Sequence, residues 1–172
     1  MTTKDEMQEK IDGLLVVEGE MTEKIGHLHS DHVELQSVDY DADARVLRPY
    51  LDRWMDWHLW ASFWLVQVKQ ARWEARQNLQ EAMQKVLTNT RDADFSRAGL
   101  SYYASYEERR VYYEMRTRSR RSSVDILDRL AETTYDFILA IKATTAHWDK
   151  RRVDTKWELG RMSQLPGSDY EN

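Results

Sequence analysis

Residues 54–68, WMDWHLWASFWLVQV, decide the fold, because they are apolar at almost every position over about four helical turns. Apolar side chains recur at spacings of three and four through this stretch and on both sides of it, which is the period of a helix and not of a strand. Asp56, His58 and Gln67 interrupt it, so it is too short to cross a bilayer, which takes about 20 apolar residues. A helix that is apolar on every face needs cover on every face. The stretch therefore predicts contacts with more than one companion helix.

The rest of the chain predicts two long helices joined by a turn. The first extends from about residue 44 to about 88, and the turn signals fall in 89–101. The second extends from about 102 to about 159. The predicted fold class is all-α, with two long antiparallel helices forming an oligomeric helical assembly. Two helices alone make a thin core for 7 Trp, so the chain is expected to form a homo-oligomer.

The N-terminal segment is predicted to be an acidic helical arm. Residues 4–28 have an amphipathic pattern, but Gly13, Gly19 and Gly26 each cost a helix about 1 kcal/mol relative to Ala. The arm is therefore expected to be marginally helical, becoming ordered against a partner, and 29–43 to be a linker. The predicted organisation is an N-terminal arm and linker over 1–43, a helical hairpin for oligomerisation and binding over 44–161, and a disordered tail over 162–172.

Charge is distributed unevenly along the chain. Residues 1–44 carry 3 Lys against 12 Asp and Glu, a net charge of −9, whereas residues 45–161 carry a net charge of +6. A basic body behind an acidic arm indicates that the body contacts something anionic, or the arm itself.

Catalytic and cofactor motifs are missing from the sequence. There is no cysteine, no nucleophile elbow and no glycine-rich phosphate loop, so the protein is predicted not to be an enzyme and to use no cofactor. His27, His29, Asp31 and His32 are close enough in sequence to suggest a metal site, but zinc needs rigidly held ligands. This cluster lies beside the predicted linker, so a solvated polar junction is the preferred interpretation and no metal is assigned. The N-terminus lacks a secretory leader pattern, and a cytoplasmic location is expected.

The stretch Ser101–Ser123 combines arginine with tyrosine. Single-stranded nucleic acid needs cations for its phosphates and flat rings on which bases stack, and arginine can both fork onto phosphate and stack. The alternative is a solvated helix face with Arg paired to neighbouring Glu. The predicted residues for binding single-stranded DNA are Arg109, Arg110, Arg116, Arg118, Arg120, Arg121, Tyr102, Tyr103, Tyr106, Tyr112 and Tyr113.

Tryptophans in the first long helix have three interpretations. They form an oligomer core, a surface for a partner protein, or a membrane-interface face; the last needs a basic polar face, which is lacking nearby, so no membrane contact is predicted. The oligomer core is preferred. The predicted interface residues are Trp54, Trp57, Trp60, Trp64, Leu127, Ile138 and Trp148.

Two short patterns resemble the UvsY family of phage recombination mediators. In VDYDADARVLRPYLDRWMDWH (38–58), an acidic-Ala segment is followed by a basic residue, Trp, an apolar residue and His, as in that family. The residues are Arg53, Trp54, Met55 and His58. Near the C-terminus, AIK (140–142) and WELG (157–160) are similar to the family's closing pattern. The resemblance covers about 38–160.

The resemblance implies a function. Members of that family are small helical proteins that form rings, bind single-stranded DNA and help a RecA-like recombinase displace single-strand-binding protein. The chain is thus expected to be a ring-forming recombination mediator, in the host cytoplasm if it is of phage origin. The alternative is a structural helical protein of a virion or scaffold, whose Trp-rich helices serve assembly only.

Overall fold

The fold is all-α throughout the described residues. The structure, a computed structural model, describes residues 4–37, 44–100 and 105–162. Within these ranges the chain has no strand, and its helices are α1 (Lys4–Ser37), α2 (Ala44–Asn89), α3 (Asp92–Arg97) and α4 (Tyr106–Met162). The all-α prediction is confirmed, and the two longest helices, α2 and α4, pack together. Residues 38–43 and the predicted C-terminal tail from 163 onward lie outside the described residues.

Helix α1 belongs to the core, which corrects the prediction of a marginal arm. It continues to Ser37, so the predicted linker is helical over its first nine residues, 29–37. Gly13, Gly19 and Gly26 are exposed, and nothing lies within 4 Å of where a side chain would extend from them. Burial of one apolar face outweighs their low helix propensity, since each large buried side chain contributes about 1.5–3 kcal/mol. The buried side chains of this face are Met7, Ile11, Leu14, Val17, Met21, Leu28 and Leu35.

The chain divides into two compact units, each with a segment of α1, α2 and α4. Unit 1 comprises Met1–Glu18 and Leu65–Thr133, and it includes α3. Ion pairs connect its three long helix segments. The pairs are Lys10 with Glu74, Glu18 with Arg129, and Asp128 with both Arg72 and Arg76.

The connection between α2 and α4 belongs to unit 1 and contains the short helix α3. Phe95 of α3 is buried against Tyr112 of α4. Gly99 follows α3 with a φ of 80°, a conformation that L side chains rarely adopt, so glycine suits this turn. Helix α4 then starts with a capping box: the Glu108 carboxylate accepts from the Ser105 N–H at 2.7 Å, and the Ser105 hydroxyl accepts from the Glu108 N–H at 3.3 Å.

Unit 2 comprises Gly19–Trp64 and Thr134–Asn172. Its core contains two completely buried tryptophans, Trp54 of α2 and Trp148 of α4. Each indole N–H finds an acceptor on α1, because a buried donor without a partner is costly. Trp54 Nε1 donates to Asp31 Oδ2 at 2.9 Å, and Trp148 Nε1 donates to His32 Nδ1 at 3.2 Å.

Candidate nucleic-acid interface

The six predicted arginines all lie on the first part of α4, with exposed side chains. Because successive residues turn by about 100°, they fall on two sides of the helix. Arg110, Arg118 and Arg121 share one side with Glu114. Arg109, Arg116 and Arg120 share the other.

Two of the three arginines on the first side lie close to carboxylates. Arg110 lies 3.6 Å from Glu107 and 3.4 Å from Glu114, and Arg121 lies 3.7 Å from Glu114. All four side chains are more than two-fifths exposed, and exposed ion pairs of this kind contribute about 0–1 kcal/mol. Such pairs are weak enough for a phosphate to replace the glutamate. Arg118, on the same side, makes no ion pair with any described residue.

Two arginines of the second side lie against aromatic rings. The Arg109 guanidinium lies 5.3 Å from the centre of the Phe95 ring. Arg116 Nε donates a hydrogen bond to Tyr112 Oη at 3.1 Å. A guanidinium has five N–H donors, so the hydrogen bond to Tyr112 leaves Arg116 with further donors.

The predicted tyrosines have different environments. Tyr106 is 78% exposed and presents its ring to solvent, as base stacking requires. Tyr112 is only 5% exposed and packs edge-on against Phe95, with ring centres 5.1 Å apart. Its ring is therefore largely covered by the protein, and little of its face is open to a base. Tyr113 is half-buried beside it, and Tyr102 and Tyr103 lie outside the described residues.

Arg120 differs from the other arginines in its register on α4. The inward-facing residues of this helix recur at alternating spacings of four and three, and we call positions 113, 117, 120, 124 and 127 the core stripe. Thr117, Val124 and Leu127 of the stripe are buried. Arg120 is the charged member of this stripe, and it lines a cavity of about 80 Å³ in unit 1.

Sequence reasoning missed two α2 residues that line the same cavity, Asn78 and Lys85. The sequence contained a signal for both. Ala75 and Ala82 continue the helical spacing of apolar residues in α2, and the residue three positions after each is polar: Asn78 and Lys85. In α4, Val124 and Leu127 follow the helical spacing of apolar residues, and the next position of that spacing toward the N-terminus is Arg120.

The predicted oligomer-interface residues are distributed differently from expectation. Trp57, Trp60 and Trp64 are half-buried, with Lys24 Nζ 4.7 Å above the Trp60 ring and the Arg53 guanidinium 5.7 Å from the Trp57 ring. Four others are buried within a single copy, which leaves their side chains little surface for a second copy. These are Trp54, Leu127, Ile138 and Trp148.

The surface of the Trp-rich segment that remains uncovered carries different side chains. Met55, Leu59 and Phe63 of unit 2 are each more than half exposed, and their spacing of four places them along one side of α2. From the sequence, one companion helix is expected to be too little to cover this segment. In unit 2, segments of both α1 and α4 accompany α2, and these apolar side chains are still exposed.

The histidine-rich segment belongs to α1 and serves packing in unit 2. Besides accepting from Trp54, Asp31 is ion-paired with Arg53 at 2.6 Å. His32 accepts from Trp148, and its ring centre lies 5.5 Å from that of His147. Burial, followed by the nearby His147 and His29, lowers the pKa of His32 below its usual value. In the part of the chain that the structure describes, no group of three or more His, Asp or Glu side chains is placed to hold a metal ion.

Comparison with known proteins gives no relatives: no family model, curated protein or solved structure matches the chain. None of the helices within the described ranges has an apolar stretch that could span a bilayer.

Proposed function

We propose that this protein binds single-stranded DNA through α4 and acts as a recombination mediator. The observation that carries the proposal is the arginine-rich surface of α4, from Arg109 to Arg121, where six guanidinium groups are exposed on about three helical turns. Arg118 and Arg120 make no ion pair with described residues, and the pairs of Arg110 and Arg121 are exposed and weak. Tyr106 adds an exposed ring for stacking.

Phosphate contacts of this kind make binding strongly dependent on salt. Each phosphate neutralised releases condensed counterions, so the affinity should fall steeply between about 50 and about 200 mM salt. Fluorescence anisotropy of a labelled oligo-dT, titrated with protein across such a series, measures this directly. Saturable binding that weakens with salt supports the proposal, and absence of binding at the lowest salt contradicts it.

Changing four arginines together localises the binding. Arg116, Arg118, Arg120 and Arg121 replaced by Ala should abolish binding and flatten the salt dependence. A matched control replaces four exposed cations elsewhere: Arg48, Lys69, Lys142 and Lys150. If both variants lose affinity equally, net charge and not this surface accounts for binding.

The mediator role comes from the resemblance to the UvsY family, which also implies a homo-oligomeric ring, a RecA-like recombinase and single-strand-binding protein as partners. Its test is recombinase activity on DNA precoated with single-strand-binding protein. The wild-type chain should shorten the lag before recombinase ATP hydrolysis, and the four-arginine variant should not. If the wild-type protein binds DNA but leaves the lag unchanged, the protein binds DNA without acting as a mediator.

A second candidate function is a structural protein of a virion or scaffold. The exposed apolar side of α2 formed by Met55, Leu59 and Phe63 favours it, since such a surface supports self-association without DNA. Sedimentation velocity in the absence of DNA, with Leu59→Glu as the variant, tests assembly. Assembly lost in L59E together with no affinity for oligo-dT in wild-type protein would favour the structural role.

A further inference from the structure

The core stripe of α4 contains a cation where the packing pattern calls for an apolar residue. Thr117 and Leu127 are almost completely buried, and Val124 is buried as well. Arg120 occupies the position between Thr117 and Val124, and its side chain is exposed and lines the cavity. A charge at such a position is unfavourable unless it is hydrated or paired.

Helix α2 shows the same change of character in unit 1. Ala75 and Ala82 are buried in its inward-facing stripe, with the half-buried Asn78 between them and Lys85 one step beyond. These side chains are small or polar where large apolar ones would fill the space between helices. The result is the cavity of about 80 Å³ that α1, α2 and α4 all line.

The cavity lining contains hydrogen-bond donors from α1, α2 and α4. Lys85 and Arg120 approach it from different helices, and neither makes an ion pair with a described residue. The remaining polar lining consists of Gln8, Asn78, Ser119, Ser123 and one carboxylate, Glu81. The two cations of the lining, Lys85 and Arg120, outnumber its one carboxylate, so the cavity has a net positive lining that favours an anion.

We propose that this cavity is a phosphate-binding site in which Lys85 and Arg120 hold one phosphodiester group of single-stranded DNA. Arg120 belongs both to the arginine-rich surface and to the cavity, so the DNA backbone following that surface passes the cavity mouth. The inference rests on the proposed function, because that function supplies the phosphodiester.

Two matched pairs of variants test the site through oligo-dT affinity. Arg120→Ala and Arg118→Ala remove the same charge from the same helix, but only Arg120 lines the cavity. Likewise, Lys85→Ala is compared with Lys69→Ala, an exposed lysine of α2 in the same unit that lies outside the cavity. We expect R120A and K85A each to weaken binding about tenfold, the loss of a charge-assisted hydrogen bond, and each control about twofold. Equal losses within both pairs would overturn the proposal.

A further variant distinguishes loss of the site from loss of folding. Ser119→Asp adds a carboxylate to the cavity lining at an exposed position of α4. It should weaken DNA binding at least as much as R120A while keeping the helical circular dichroism signal of the wild type. Wild-type affinity in S119D would contradict a phosphate in the cavity.

Inorganic phosphate separates failure of the site from failure of the proposed function. Thermal unfolding is followed in phosphate and in chloride at equal ionic strength. A higher melting temperature in phosphate that disappears in K85A supports an anion site even when oligo-dT does not bind; the proposed function then fails and the cavity takes free phosphate. If the melting temperature is the same in both salts and the losses of affinity are equal within the two variant pairs, the cavity is only a gap in the packing.

Discussion

The two units build their interiors from segments of the same three helices and differ in one part of those interiors. In unit 2, Trp54 and Trp148 fill the interior, and each indole N–H has an acceptor. In unit 1, the corresponding spacings on α2 and α4 bring in small or polar residues, among them Ala82 and Arg120, and a cavity remains. Large buried side chains whose polar groups are hydrogen-bonded favour stability. Small side chains leave space between the helices, and charged ones can bind an ion of opposite charge. Under the proposed function, unit 1 carries the DNA-binding site, and the tryptophan core of unit 2 contributes mainly to stability.

Removing a core tryptophan should have the largest effect on stability. Trp148→Ala empties a completely buried position in unit 2 and should lower the free energy of unfolding by about 4 kcal/mol, as large-to-small changes do. Urea denaturation followed by circular dichroism measures it.

An exposed tryptophan on the same helix is the control for that change. Trp157 is 71% exposed, so Trp157→Ala should alter the free energy of unfolding by no more than about 0.5 kcal/mol. Equal destabilisation by the two variants would mean that the Trp148 side chain contributes no more than a surface residue.

The buried carboxylate of unit 2 should have the next largest effect. Asp31→Ala leaves the Trp54 N–H without its acceptor and Arg53 without its ion pair, and should cost about 2 kcal/mol of unfolding free energy. Asp52→Ala is the matched control, since Asp52 pairs with Arg48 at 3.8 Å on the surface. Chemical denaturation of both variants should separate them, and similar values would contradict a buried role for Asp31.

Acidification should weaken unit 2 through His32. Its pKa lies below the usual 6.5 in the folded state, because burial disfavours the charged form and His147 and His29 add repulsion. The unfolded chain therefore binds more protons, and the stabilising contribution, fully present above pH 6.5, is lost as the pH falls through the folded-state pKa. Protonation also places a proton on Nδ1, where Trp148 donates. Melting temperatures from about pH 8 to about pH 5 should fall on the acid side.

Glutamine variants isolate this histidine. His32→Gln keeps an acceptor for Trp148 without a titrating group, so its melting temperature should decline less with acid. His27→Gln changes a largely exposed histidine paired with Glu23 and should follow the wild-type curve. Parallel curves for wild type and H32Q would assign the pH dependence to other groups.

The sequence predicts α2 closely, because its apolar positions recur at helical spacing over many turns. It predicts a helical arm over 4–28 but misses the continuation of α1 to Ser37 and its burial, since counting Gly13, Gly19 and Gly26 as helix costs ignores that all three lie on the exposed face. That outcome depends on tertiary burial, which local propensity does not contain. The arginine-rich surface is predicted as a set of residues, but its geometry is not. Only packing distinguishes Arg120, in the core stripe, from Arg118 two residues away.

Arg120→Leu tests the central contrast most directly, because stability and binding should change in opposite directions. Leucine suits the core stripe and fills part of the cavity, so the free energy of unfolding should rise by about 1 kcal/mol, or about 2–4 °C in melting temperature. Oligo-dT affinity of the same sample should fall about tenfold. A lower melting temperature, or unchanged affinity for DNA, would contradict the assignment of unit 1 as the binding unit.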